Sequence, residues 1–233
     1  MENYIEKITE NVYGLLFWDE SWKSFNNCYI LVDHNEATLI DSGKKEHFRF
    51  LETAIETIEL GKNDITKFVA THGHRDHIGG IQFLGEIQSF IHNKDLELIP
   101  ENLKNKFNMT LPDNGQTVSD LECVLLGHHT KGSVSLYHQE SKALFCGDHI
   151  CFFAKPLSGT SIIEEGRLER EDFKKFISDW SQNDEMRKQH NFRLFIEGLR
   201  AINQFDAEYL CTGHGLVLKG NINAFISDLL GFE

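Results

Sequence analysis

Short apolar runs, each closed by charged, Asn or Gly residues, dominate the first part of the chain. Val12-Tyr13-Gly14-Leu15-Leu16-Phe17, Cys28-Tyr29-Ile30-Leu31-Val32 and Ala37-Thr38-Leu39-Ile40 are rich in β-branched and aromatic side chains. Such runs predict strands of an antiparallel meander. The period then changes. Phe48, Leu51, Ala54, Ile55 and Ile58 recur at helical spacing across residues 46–60, which puts them on one face of a helix. Thr66 to Ala70 reads as a strand, residues 79–85 begin a helix, and Gln88-Ser89-Phe90-Ile91 returns to the extended pattern. The second half repeats the theme, with strands near 121–126, 133–138, 143–146 and 208–211 and helices over 170–180, 189–204 and 220–230. Pro112-Asp113-Asn114-Gly115 predicts a turn between the halves. The pattern suits a sandwich of two mixed sheets with helices outside and functional loops at strand ends.

Chemistry concentrates in one of those loops. Directly after the apolar run Phe68-Val69-Ala70 come Thr71-His72-Gly73-His74-Arg75-Asp76-His77-Ile78-Gly79-Gly80. His72 and His74 are two apart, so in an extended stretch their imidazoles project from the same side. Asp76 and His77 follow at once, and a turn there aims them at a neighbouring position. One loop can thus offer two ligands to each of two adjacent cations, with the imidazole and carboxylate donors that suit Zn and Fe. A lone His in a loop is ordinarily solvated, but this density of donors has few structural explanations.

The run His-x-His-x-Asp-His resembles the signature of the metallo-β-lactamase-fold hydrolases. Three further elements extend the resemblance in the right order: Gly127-His128-His129-Thr130-Lys131-Gly132-Ser133, Leu144-Phe145-Cys146-Gly147-Asp148 and Leu210-Cys211-Thr212-Gly213-His214-Gly215. Lys131 and His128 replace a usual Pro and Gly. Leu39-Ile40-Asp41-Ser42-Gly43 is similar to the family's Asp-Thr-Gly turn. The resemblance implies a four-layer αββα sandwich and two divalent metal ions, Zn ahead of Fe or Mn. His72, His74 and His129 would hold the first ion, Asp76, His77 and His214 the second, and Asp148 would bridge them. Asp76 would also orient the nucleophile, a hydroxide shared by the ions, for attack on a small ester, thioester or lactone. Asp41 would orient a ligand or serve simply as a turn-former.

Departures from specialised branches narrow the reading. Asp148 stands where zinc-dependent β-lactamases carry Cys, and residue 74 is His where di-iron electron carriers have Glu. Little chain follows His214 to supply the helical extension of a glyoxalase II, and no tyrosine lies soon after Asp148 as in lactone hydrolases. Two alternatives remain open: a phosphodiester hydrolase, and a persulfide dioxygenase-like enzyme holding one Fe(II) through His72, His129 and Asp148.

Two segments are candidates for the substrate pocket. Trp18 and Trp22 lie in a polar connection between two strands, where they form an apolar lip or a homodimer contact. Phe152 and Phe153 open a helical, lid-like insertion at about 152–205 within a single domain spanning 1–233. His128, His149 and Cys151 adjoin proposed ligands and are further candidates for lining the pocket.

Composition excludes other classes. With 36 acidic against 23 basic residues the formal charge is −13, so nucleic acid and anionic membranes are disfavoured partners and a small molecule is the expected substrate. Five scattered cysteines without a Cys-x-x-Cys pair argue against a disulfide framework or zinc knuckle. No bilayer-spanning run or secretory leader is evident, so the expected compartment is the cytoplasm.

Overall fold

The computed structural model describes residues 3–33, 36–153, 160–164 and 166–233. His34 and the Ala154–Pro156 part of the expected insertion therefore lie outside the described residues. Among the described residues the chain forms two seven-stranded sheets. The first is the predicted meander, β1 (Tyr4–Lys7), β2 (Val12–Asp19), β3 (Ser24–Asp33) and β4 (Glu36–Ile40), continued in parallel by β5 (Ile65–Val69), β6 (Gln88–His92) and β7 (Met109–Leu111). The second contains β8 (Asn114–Gln116), β9 (Leu121–Leu125), β10 (Val134–His138), β11 (Ala143–Gly147), β12 (Ile162–Glu164), β13 (Tyr209–Thr212) and β14 (Val217–Lys219). Its spatial order is β12-β14-β13-β11-β10-β9-β8, with β11 parallel to β13 and β12 parallel to β14.

Alternation along the strands explains the layering. In β11, Ala143 and Phe145 face the apolar interior between the sheets, while Leu144 and Cys146 face the helices. In β3, Tyr29 and Leu31 point inward and Cys28 and Ile30 outward. Both faces of these strands are therefore apolar, which is why the runs read as continuous rather than alternating. Helix α1 (Phe48–Thr57) covers the first sheet, burying Leu51, Ala54 and Ile55 as its spacing predicts. A one-turn helix, α2 (Arg75–Ile78), follows β5. Helices α3 (Arg167–Ser181), α5 (Phe192–Ile202) and α6 (Ile222–Leu230) supply buried side chains to the core outside the second sheet, with the short α4 (Asp184–Gln189) between α3 and α5. The result is an αββα sandwich.

Three local expectations change. The helix expected over 189–204 begins at Phe192, because Asn191 takes a left-handed conformation (φ 50°). Residues 79–83 form a 3-10 turn in place of a longer helix, consistent with the low helix propensity of the paired Gly79 and Gly80. Asn114 and Gly115, expected in a turn, belong to β8, leaving only Pro112 and Asp113 to cross from one sheet to the other.

Phe145 is fully buried between the sheets and meets Tyr29 edge-on, with ring centroids 5.2 Å apart. Replacing Phe145 by Ala should destabilise the chain by about 3–5 kcal/mol, the usual cost of emptying an aromatic core site. Chemical denaturation should show a lower midpoint; an unchanged midpoint would contradict the packing described.

Candidate metal centre

Every expected ligand stands just beyond a strand end on one edge of the sandwich. After β5 the backbone passes through His72 and His74 before α2 carries Asp76 and His77. His129 lies between β9 and β10, Asp148 directly follows β11, and His214 occupies the turn from β13 to β14. Ligand atoms lie within 4.8 Å of one another in three sets: His72, His74 and His129; His72, His77 and Asp148; Asp76, His77 and His214. All seven side chains meet.

His72 Nε2 and His129 Nε2 stand 3.1 and 2.9 Å from His74 Nδ1. Asp148 reaches both groups. Its Oδ2 lies 3.3 Å from His129 Nε2 and 3.4 Å from His214 Nε2, and its Oδ1 lies 3.3 Å from His77 Nε2. Asp76 Oδ2 is 3.3 Å from His214 Nε2. Asp76 Oδ2, His77 Nε2, Asp148 Oδ1 and His214 Nε2 are buried without a hydrogen-bond partner. Leaving such atoms unmatched costs about 1–3 kcal/mol each. Convergent imidazole and carboxylate donors with unmet lone pairs are what divalent cations require, so the residues fit a two-ion site.

Three of the remaining ring nitrogens are already committed. His77 Nδ1 is 2.8 Å from Asp41 Oδ2, and His214 Nδ1 is 3.1 Å from the Phe25 carbonyl. Thr71 Oγ1 donates to Asp41 Oδ2 and lies 3.2 Å from His72 Nδ1. Donation through the Nδ1 atoms of His72, His77 and His214 leaves their Nε2 lone pairs facing the centre, an arrangement that fixes ligand orientation. Asp41 also accepts from the Thr71 amide at 2.8 Å. It therefore touches the metal loop at three atoms.

Charge within the cluster is strongly coupled. Burial alone would drive His77 and His214 neutral, but neighbouring carboxylates win: Asp148 and Asp41 hold His77 well above its ordinary range, and Asp148 with Asp76 raises His214 to about 9. Burial would likewise raise Asp148, yet His77 and His214 hold it well below the carboxylate range. On the outer side burial lowers His129 to about 4, only partly offset by Asp148. The same carboxylates thus favour the charged form of His77 and His214 in spite of their burial.

Several residues that secure the site carry no motif. Asp95, fully buried in the 3-10 turn Asn93–Asp95, accepts from the Gly73 amide at 2.9 Å, the Gly132 amide at 2.7 Å and Thr130 Oγ1 at 2.6 Å. It joins the His72–His74 loop to the His129 loop. Asn27 Nδ2 and Tyr29 Oη both donate to the Thr212 carbonyl, at 2.9 and 2.6 Å, and tie the first sheet to the His214 turn. Gly213 is required by close approach, since a Cβ there would fall 2.2 Å from Asp148 Oδ1.

The aromatic candidates divide. The Trp22 ring lies 4.8 Å from that of His214 and the Phe153 ring 5.7 Å from it, and both side chains are exposed. Trp18 instead packs on Phe25 within the β2–β3 pair and donates from Nε1 to Glu20. Phe152 turns inward among Phe173 and Phe225, because it and Phe153 point to opposite sides of an extended backbone. Trp18 and Phe152 are thus corrected from pocket residues to packing residues. His128 and His149 face Phe195 of α5, with burial lowering His149 to about 3, and so belong to the packing of the helical layer. Cys151 is half-buried, and burial beside Asp148 raises its thiol well above the ordinary range.

Residues 22–214 match the metallo-beta-lactamase superfamily, and the chain belongs to that family. It is 28% identical over 145 residues to the uncharacterized protein YobT of Bacillus subtilis, covering 52% of this chain and 60% of that relative. It is 32% identical over 102 residues to hydroxyacylglutathione hydrolase of Prochlorococcus marinus, covering 42% of this chain and 41% of that one. The matches thus span about half the length of these curated relatives. A mutant flavo di-iron protein from Thermotoga maritima shares the fold at a TM-score of 0.74 and 16% identity, covering 98% of this chain and 62% of that one. No described helix is long and apolar enough to cross a membrane.

Two outcomes test the geometry. Asp95→Ala should weaken metal retention about 10–100-fold, as loss of a ligand-positioning carboxylate does; chelator competition would read this, and wild-type affinity would contradict the loop-joining role. Ligation requires neutral imidazole, so His214 must lose its proton whenever the pH is below about 9. Metal affinity should therefore rise with pH toward that value, with proton release visible as buffer-dependent calorimetric heats. Buffer-independent heats at pH 7 would refute the assignment.

Proposed function

We propose that the protein is a binuclear metallohydrolase that cleaves a small ester, thioester or lactone. The observation that carries this reading is the set of four buried, partnerless ligand atoms beside the three-imidazole group, with Asp148 reaching into both. The Prochlorococcus relative, by name a hydrolase of hydroxyacylglutathione, supports hydrolysis as the reaction. Zn is the cation best suited to these donors, with Fe or Mn as alternatives.

Bound divalent cations supply Lewis acidity toward a carbonyl oxygen and ionise water near neutral pH. The chain's own residues do the rest. His72, His74 and His129 would hold the outer ion, Asp76, His77 and His214 the inner one, and Asp148 both. Burial opposes ionisation of Asp76, but His214 and His77 keep its carboxyl below the ordinary range. It therefore remains a hydrogen-bond acceptor that orients the attacking water. Asp41 and Thr71 prevent His77 and His72 from rotating away as charge shifts. Trp22 and Phe153 flank His214 and form an apolar wall that shields one side from water.

Elemental analysis paired with a substrate panel tests the proposal. Two ions per chain and oxygen-independent turnover of an ester, thioester or lactone are expected. Asp148→Ala should lose metal and lower turnover by at least about a thousandfold, because several kcal/mol of transition-state stabilisation depend on the cations. One iron per chain with oxygen consumption would replace hydrolysis by the sulfur dioxygenase reading, and cleavage of phosphodiesters alone would redirect the substrate class.

A further inference from the structure

The cavity beside the metal ligands has a charge that the acidic chain as a whole does not suggest. It measures about 520 Å³ and is lined by Asp76 together with Trp22, Lys44, Lys45 and Arg75. Lys44 is paired with the buried Asp19, and its ammonium lies 4.8 Å from the centroid of the Trp22 ring. That ring is in turn 4.8 Å from His214. Lys45 and Arg75 are exposed and make no ion pair among the described residues. The acids in the lining are Glu46 and Asp76, and Asp76 belongs to the metal ligands. One wall therefore holds two uncommitted cations against a single uncommitted carboxylate.

The position of this wall is built, not incidental. Ser42 donates its amide to the His77 carbonyl at 2.7 Å, and Gly80 donates to the Gly43 carbonyl at 3.2 Å. A Cβ at Gly79 would fall 2.6 Å from the Lys45 amide nitrogen, so the Lys44–Lys45 turn lies directly on the end of α2. Arg75 opens the same helix, between ligands His74 and Asp76. The backbone of all three cationic residues is thus fixed relative to the ligands. A net charge of −13 repels anions at long range, so a local cationic wall directly beside the cluster has a selective consequence. Arg and Lys head groups suit carboxylate and phosphate oxygens.

We infer that this cavity holds an anionic oxygen group of the substrate, a carboxylate or a phosphate, against Lys45 and Arg75, with Trp22 covering the adjoining apolar part. The inference rests on the hydrolase reading and narrows it to substrates with a negative charge close to the bond that is cleaved.

Calorimetric titration of the metal-loaded protein with glutarate, inorganic phosphate and neutral glutaramide tests it. At least one anion should bind and glutaramide should not, and the anion that binds distinguishes carboxylate from phosphate recognition. The double substitution K45Q/R75Q should weaken that anion about tenfold, and higher salt should erode the difference. Because Arg75 lies between two ligands, Lys45→Gln is measured separately and should lose about threefold by itself, with metal content checked in each variant. Equal anion affinity in the wild type and both variants, or binding of glutaramide as tight as glutarate, would overturn the inference. Hydrolysis is judged independently. Anion binding without turnover of any ester, thioester or lactone removes the hydrolase reading and leaves the anion site standing, whereas turnover without anion binding does the reverse.

Discussion

Five imidazoles and two carboxylates are held so close together that their mutual electrostatics govern the molecule's active edge. Four of their donor atoms are buried without a hydrogen-bond partner and face one another in His–carboxylate pairs 3.3 Å apart. In water these groups would be solvated, and in a closed core they would be paired. Here the fold forbids the first and supplies the second only in part, an arrangement that cations would relieve by supplying positive charge and accepting the lone pairs. Protons do part of that work in their absence, which is why His77 and His214 are pushed upward in spite of their burial.

Such a cluster needs a frame that cannot relax around it. Three carboxylate or amide side chains provide much of that rigidity. Asp41 locks His77 and, through Thr71, His72; Asp95 joins two ligand loops; Asn27 fastens the first sheet to the turn bearing His214. The Thr71 carbonyl also accepts from the Val134 amide at 2.9 Å, so the first ligand loop is bonded directly to the second sheet. Packing and chemistry are therefore coupled. The apolar layer between the sheets sets their spacing, and that spacing sets whether ligands from opposite sheets meet.

The convergence of the seven side chains was legible in sequence because their chemistry is written locally: dense donors in residues 72–77, and a His or Asp beside or near glycine at the other three turns. The strands were legible for an equally local reason, their apolar runs. Asp95 was not, because its meaning lies entirely in contacts 22, 35 and 37 residues away. Asn27 and Tyr29 sit inside an apolar strand and present no motif. The aromatic pairs show a different limit. Composition marks Trp18, Trp22, Phe152 and Phe153 as a group, but strand direction decides that β2 continues to Asp19 and keeps Trp18 in the ladder opposite Phe25. A one-residue offset decides that Phe153 faces out while Phe152 faces the core. β8 escaped for a related reason, since Asn114-Gly115 carries the chemistry of a turn and is extended only through pairing with β9.

The two halves of the ligand set are not equivalent. His77 and His214 are buried, whereas His74 is half-exposed and His129 is more open still. The outer group therefore opens to solvent on the His74–His129 side, while the inner group meets the solvent at the cavity lined by Asp76 and Trp22. That cavity and the exposed Phe153 beside it draw on the β2–β3 turn, the Lys44–Lys45 turn and the backbone just after Asp148, none of which supplies an atom to the cluster. Side chains at Trp22, Lys45 or Phe153 can change without moving the cluster, because its ligands are held by backbone and carboxylate contacts from within the sandwich. The scaffold in this way separates most of the side chains that form the cluster from those that line the cavity beside it.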